Sequence, residues 1–181
     1  GYVYIGMDHF AKPGDELAVA QRQGRLQRNF QGYSTRAEAE LISCGVSAIS
    51  AVGATYSQNE KTLDAYYARL DDGVLPIARG IKMDNDDLLR RMVIGKLMCN
   101  FELSLSSIEQ GFPINFRQYF AAELAKLKAF EDDGLLTVDD EWISVTPKGR
   151  LLIRNICMVF DRYLGVEQDV APQPLRYSKT I

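Results

Sequence analysis

Gln31 sits inside a short stretch, "NFQGYS" (Asn29–Ser34), whose residue types suit the edge of a ligand site. Its amide offers both a donor and an acceptor. Phe30 and Tyr33 flank it with ring faces able to stack on, or wall in, a ring system. A second stretch, "GVSAISAVG" (Gly45–Gly53), is nearly free of charge and built from small residues. Small side chains let backbone amides and carbonyls approach a flat ligand closely. A tightly packed strand has the same composition, and the residues alone favour that reading. The run lacks the Lys-Ser/Thr of a P-loop and the spacing of a dinucleotide fingerprint. His9, the single histidine, follows Asp8 and raises an acid–base or metal pair. Neighbours on a strand point to opposite faces, so a structural histidine at a strand end is the simpler reading.

Other chemistries are bounded by composition. The net charge of −3 and pI near 5.3 give no bulk electrostatic case for nucleic acid or anionic lipid. No apolar run reaches the ~18 residues of a membrane helix, and no signal peptide opens the chain, so a cytoplasmic protein is expected. Cys44, Cys99 and Cys157 are scattered, which fits buried reduced thiols better than a disulfide framework or a zinc site.

Several elements must position these residues. Tyr2–Ile5 alternates like a strand, with "MDHF" at its end. "KPGDELAVAQRQG" reads as a turn and a short helix between Asp15 and Gly24. Leu26–Tyr33 is a weak strand, "TRAE" a capping box at Thr35 and Glu38, and Leu41–Val52 a buried strand or loop. Asn59 is read as the cap of a helix carrying Leu63, Tyr66, Tyr67 and Leu70. This strand–helix alternation has the order of a parallel βα layout, with too few strands to close. From Asp84 the pattern becomes helical: a long helix to Phe101, a short one to Gly111, a third from Asn115. A hairpin (Leu135–Val138, Trp142–Val145) and a helix from Thr146-Pro147 follow. That order resembles a winged helix. Its third helix balances Arg117, Lys126 and Lys128 against Glu123, Glu131 and Asp132, which argues for packing over DNA binding.

The chain resembles the oxygen-independent coproporphyrinogen III oxidases, radical S-adenosylmethionine enzymes of haem biosynthesis. The matching pieces are "YIGMDHFAKPGDELAVAQ" (4–21), "RNFQGYST" (28–35), "GVSAIS" (45–50), "YSQN" (56–59) and "TPKGRLLIRNICMVFD" (146–161), in the family's order. The resemblance implies oxidative decarboxylation of two propionates of coproporphyrinogen III to vinyl groups, giving protoporphyrinogen IX. It implies S-adenosyl-L-methionine and a 4Fe-4S cluster in the parent enzyme. The cluster's Cys-x3-Cys-x2-Cys motif is absent here, so none of the three cysteines is expected to be a ligand. Phe30 and Gln31 are implied at the active site, Phe30 as a wall and Gln31 as a hydrogen-bonding group. Ile49 is implied to contact S-adenosylmethionine, largely through backbone.

The expectation is therefore a carboxy-terminal part of such an enzyme. Residues 1–75 would be the last βα units of a partial TIM-like radical SAM barrel. Residues 76–181 would be a helical, winged-helix-like domain with a small hairpin and a loose tail from Gly165. The part alone would be inactive and would self-associate through unpaired strand edges or be disordered before about residue 75, whereas the parent would be a monomer. The alternative is a stand-alone winged-helix or porphyrin-binding module without catalysis.

Overall fold

The computed structural model describes residues 1–36 and 39–164. The chain opens with a hairpin, β1 (Val3–Gly6) and β2 (His9–Ala11), which pair antiparallel. "MDHF" is therefore the turn and return strand of a hairpin, not the end of a βα strand. Its two central residues, Met7 and Asp8, both take left-handed conformations, at φ 45° and 65°. That is the geometry a tight hairpin turn demands, here without a glycine. α1 (Glu16–Arg22) starts where Asp15 accepts from the Leu17 amide and stops before Gly24, as its sequence signals require.

The expected strand Leu26–Tyr33 is a second hairpin. β3 (Gln27–Asn29) and β4 (Gly32–Ser34) pair antiparallel, and Phe30 and Gln31 form the turn. The proposed capping box at Thr35 and Glu38 includes Glu38, which lies outside the described residues. β5 (Ile49–Val52) and β6 (Thr55–Asn59) form a third antiparallel pair, and residues 41–52 are half-buried or exposed. α2 (Leu63–Asp71) is capped by Thr62, not Asn59. Its apolar residues Leu63, Tyr67 and Leu70 are exposed. β7 (Ile77–Lys82) then returns to pair with β6. Every named strand pairing among the described residues is antiparallel, so the parallel layout read from the strand–helix alternation is not formed among them. The sheet β5-β6-β7 also runs past the boundary expected at residue 75.

The second half follows its sequence signals closely. α3 (Asn85–Asn100) opens with a capping box between Asp84 and Asp87 and closes at Phe101 in a left-handed conformation. β8 (Glu102–Ser104), α4 (Leu105–Gly111), α5 (Phe116–Tyr119) and α6 (Ala121–Asp132) follow. Asn115 caps α5 as expected, but the helix breaks at Phe120 before α6 begins. The hairpin β9 (Leu136–Val138) and β10 (Trp142–Val145) is present, and β8 joins its other edge, giving the order β8-β10-β9. α7 (Pro147–Arg150) and α8 (Ile153–Met158) end the described chain. No helix among the described residues is long and apolar enough to cross a membrane.

The main core lies in this half, where Leu89, Val93, Leu97, Phe116, Phe120, Leu127, Ile143, Ile156 and Phe160 are all buried. A smaller core of Ile5, Ala18, Ala20 and Leu26 includes Cys99 of α3. Tyr4 and Met7 reach the other way and pack against the main core. The first hairpin is thus seated on α3, which ties the ligand-type residues of the first half to the helical half.

Candidate active site

The Phe30–Gln31 turn is built by its flanking residues. The Asn29 carboxamide oxygen accepts from the Gln31 amide at 2.9 Å, which rigidifies the turn. Gly32 follows at φ 137°, a conformation that L side chains rarely adopt. The Gln31 side chain is exposed, and the Phe30 ring is half exposed, at 52%. The buried edge of Phe30 meets Tyr56 of β6 at right angles, with ring centres 5.2 Å apart.

Under the turn, Tyr33 points inward and donates to the Met98 carbonyl at 3.3 Å. Burial pushes its phenol up to about 12, against the opposing pull of Arg28, whose guanidinium lies 4.9 Å from the ring centre. Through that hydrogen bond Tyr33 anchors the hairpin to α3. His9 stands edge-on to Tyr33 at 5.2 Å, and its Nδ1 lies 2.8 Å from the Met7 carbonyl. A carbonyl only accepts, so Nδ1 carries a proton and Nε2 is left facing the Gly32 side of the turn. Among the described residues His9 is not hydrogen-bonded to Asp8; its ring instead meets the Met7 carbonyl at the start of β2.

The small-residue run is held as a shaped loop. Asn59, buried at the end of β6, donates to the Ser43 and Gly45 carbonyls. The Tyr66 hydroxyl accepts from the Gly45 amide at 3.0 Å, and the Ser47 amide donates to the Glu60 carbonyl at 2.7 Å. Gly45 and Ser47 both have positive φ, which shapes the approach to Ile49. Ile49 itself is half-buried opposite Gln58. Its carbonyl accepts from the Ser43 hydroxyl at 2.8 Å, which ties the loop back onto β5. Phe30 is joined to the sheet that carries Ile49 through Tyr56, whose strand neighbour across β5 is Ala51.

The residues do not fit an iron–sulfur cluster. Among the described residues no group of three histidines, cysteines or carboxylates is placed to hold a metal. Burial pushes the Cys99 and Cys157 thiols to about 12, which disfavours the thiolate that a metal needs. Cys44 is exposed, contrary to the buried thiol expected from its neighbours.

Residues 83–152 match the HemN C-terminal domain family. Over 168 residues the chain is 54% identical to an oxygen-independent coproporphyrinogen III oxidase of Synechocystis sp., covering 91% of this chain and 36% of that protein. The relative of the same name from Escherichia coli is also 54% identical over 91% of this chain, and that of Helicobacter pylori 44% over 90%. Residues 83–152 thus form a HemN C-terminal domain, and nine-tenths of the chain is similar to these oxidases. The chain spans only 36% of the length of these relatives, so it corresponds to a part of them. A solved structure described as coproporphyrinogen III oxidase (HemN) from Escherichia coli, a radical SAM enzyme, superposes with a TM-score of 0.87 and 55% identity. That match covers 90% of this chain and 38% of the solved one. The mixed α/β fold thus matches part of that structure.

Two features of the site escaped the sequence reading. Asn59 has cap-type chemistry at a helix-like spacing, but its side chain ties down the Ile49 loop. The ring partner of Phe30, Tyr56, is distant in sequence, and no periodicity links the two.

Proposed function

We propose that the chain supplies one wall of the active site of an enzyme that converts two propionates of coproporphyrinogen III to vinyl groups, giving protoporphyrinogen IX. The observation that carries this reading is the likeness to the HemN structure over nine-tenths of the chain, with the Phe30–Gln31 turn turned outward. Each conversion releases carbon dioxide, with removal of one hydrogen atom from the propionate β-carbon and one electron to an acceptor. S-adenosylmethionine and a 4Fe-4S cluster supply the hydrogen-abstracting chemistry when bound, and the cluster's ligands come from outside this chain. In this reading Phe30 walls the cavity and excludes water. Gln31 orients the substrate through its amide, by donating to a propionate or accepting from a pyrrole N–H. Ile49 borders the cofactor, largely through its backbone. The chain alone does not turn over.

We place the division between the two parts after β7, because β7 is hydrogen-bonded to β6 and the family match begins at Met83. The segment from α3 onward is winged-helix-like in its order, and it packs against the site-bearing half.

In the complete enzyme, Gln31→Ala should lower kcat/KM about 10- to 100-fold, the effect of one lost hydrogen bond to a charged partner. Turnover equal to the unmodified enzyme would remove Gln31 from the site.

A further inference from the structure

Phe30 emerges from a two-residue turn, with about half its surface in the open. A ring so placed needs a support to keep one orientation. That support is Tyr56, met edge-on at 5.2 Å and 89°. Tyr56 sits on the central strand of its sheet, between Ala51 of β5 and Ile81 of β7, and is itself half-buried. On it lies Arg91 of α3, its guanidinium 5.8 Å from the ring centre and Nη1 3.5 Å from the hydroxyl. Arg91 Nη1 also approaches the Met83 sulfur at 3.8 Å, at the start of the helical domain. A continuous line of contacts therefore runs from α3 through Arg91 and Tyr56 to Phe30.

We propose that Tyr56 is a positioning residue for Phe30, and that Arg91 lets the C-terminal helical domain set the angle of the Phe30 wall. The inference rests on the reading of Phe30 as a cavity wall, and it goes further by giving the C-terminal domain a task at the site. Edge-to-face ring pairs prefer this geometry. A guanidinium over the far ring fixes the second partner without blocking the first. Arginine suits the task because it stacks and donates at once, which lysine does not.

The test uses the complete protein and reads two quantities. One is the affinity of cluster-free protein for coproporphyrin III, the stable oxidised form of the substrate. The other is kcat and KM of the loaded enzyme. Phe30→Ala should weaken coproporphyrin III binding and lower kcat, and Tyr56→Ala should do the same by about three- to ten-fold. The double variant should be no worse than Phe30→Ala, because Tyr56 acts through Phe30. Tyr56→Phe should retain binding, and Arg91→Met should lose part of it. Thermal unfolding of each variant checks the fold, and Tyr56→Leu replaces Tyr56→Ala if the alanine form does not fold. Multiplying effects in the double variant would overturn the proposal, as would Tyr56→Ala binding unchanged beside a weakened Phe30→Ala. Unchanged binding and turnover in Phe30→Ala would overturn the wall reading itself, and the positioning role with it.

Discussion

Arg162 closes the described chain onto the start of α3. It bridges Asp84 and Asp86 at 2.9 Å and Asp87 at 3.3 Å. Tyr119 and Tyr163 donate to Asp86 and Asp87, and Arg90 joins Asp86 to Glu123 and to the Phe160 carbonyl. Burial alone would raise the Asp86 carboxyl, but the hydrogen bonds from Tyr119, Arg162 and Arg90 outweigh it and hold it below the ordinary value of 3.8. Asp84 is also held down, chiefly by the Asp87 amide and then by Arg162. A folded-state value below the unfolded one contributes stability above the unfolded value, and that contribution is lost as pH falls through the lowered one. The thermal midpoint should therefore fall as pH drops below about 4, and Asp86→Asn should flatten that fall while lowering the midpoint at neutral pH. An unchanged acid slope in Asp86→Asn would show that other carboxylates govern it. Only the Asp86–Arg90 ion pair of this network lies within helical reach in sequence, whereas Arg162 and Tyr163 are 76 residues from Asp86 and Asp87. The functional types at Phe30 and Gln31 were legible. Their place on a turn was not, because a three-residue strand on each side leaves too short a pattern for alternation to show.

Elements whose ends carry a chemical signal were legible at once. Asp15, Asp84, Asn115 and Thr146 all have oxygen-bearing side chains that accept from an amide in the first turn of a helix. The exception, Asn59, shows the limit: cap chemistry says that a side chain wants backbone partners, not which backbone. Gly149 of α7 marks another requirement. It is buried, and a Cβ there would collide with the Leu135 carbonyl and press on Val145. The first turn of α7 thus lies directly against the base of the β9-β10 hairpin, where Thr146 also donates to the Gly134 carbonyl. Gly149→Ala must push a helix off a strand, and should cost about 3 kcal/mol or more. Urea unfolding would check it. A loss below about 0.5 kcal/mol would mean that the hairpin and α7 separate freely.

At the scale of the molecule, the strand–helix alternation misled because it says nothing about pairing direction. "MDHF" and "NFQG" each hide a hairpin turn, and left-handed Met7 and Asp8 give no glycine to announce the first. What results is a half built of short antiparallel pairs, with few buried residues of its own beyond the cluster around Ile5 and Leu26. Its sheet ends in β7, all six residues of which are exposed. Beside that edge, Val74 and Leu75 are exposed, as are Leu63, Tyr67 and Leu70 of α2. Among the described residues no strand pairs with the outer edge of β7, and such an edge beside apolar neighbours invites pairing with another copy. The chain on its own should therefore self-associate with rising concentration in sedimentation velocity. Ile81→Lys, which places a charge on the edge strand without touching the core, should shift it toward monomer. A monomer at every concentration would show that this edge is closed by the chain itself. Equal association in Ile81→Lys would move the contact to another face, away from β7.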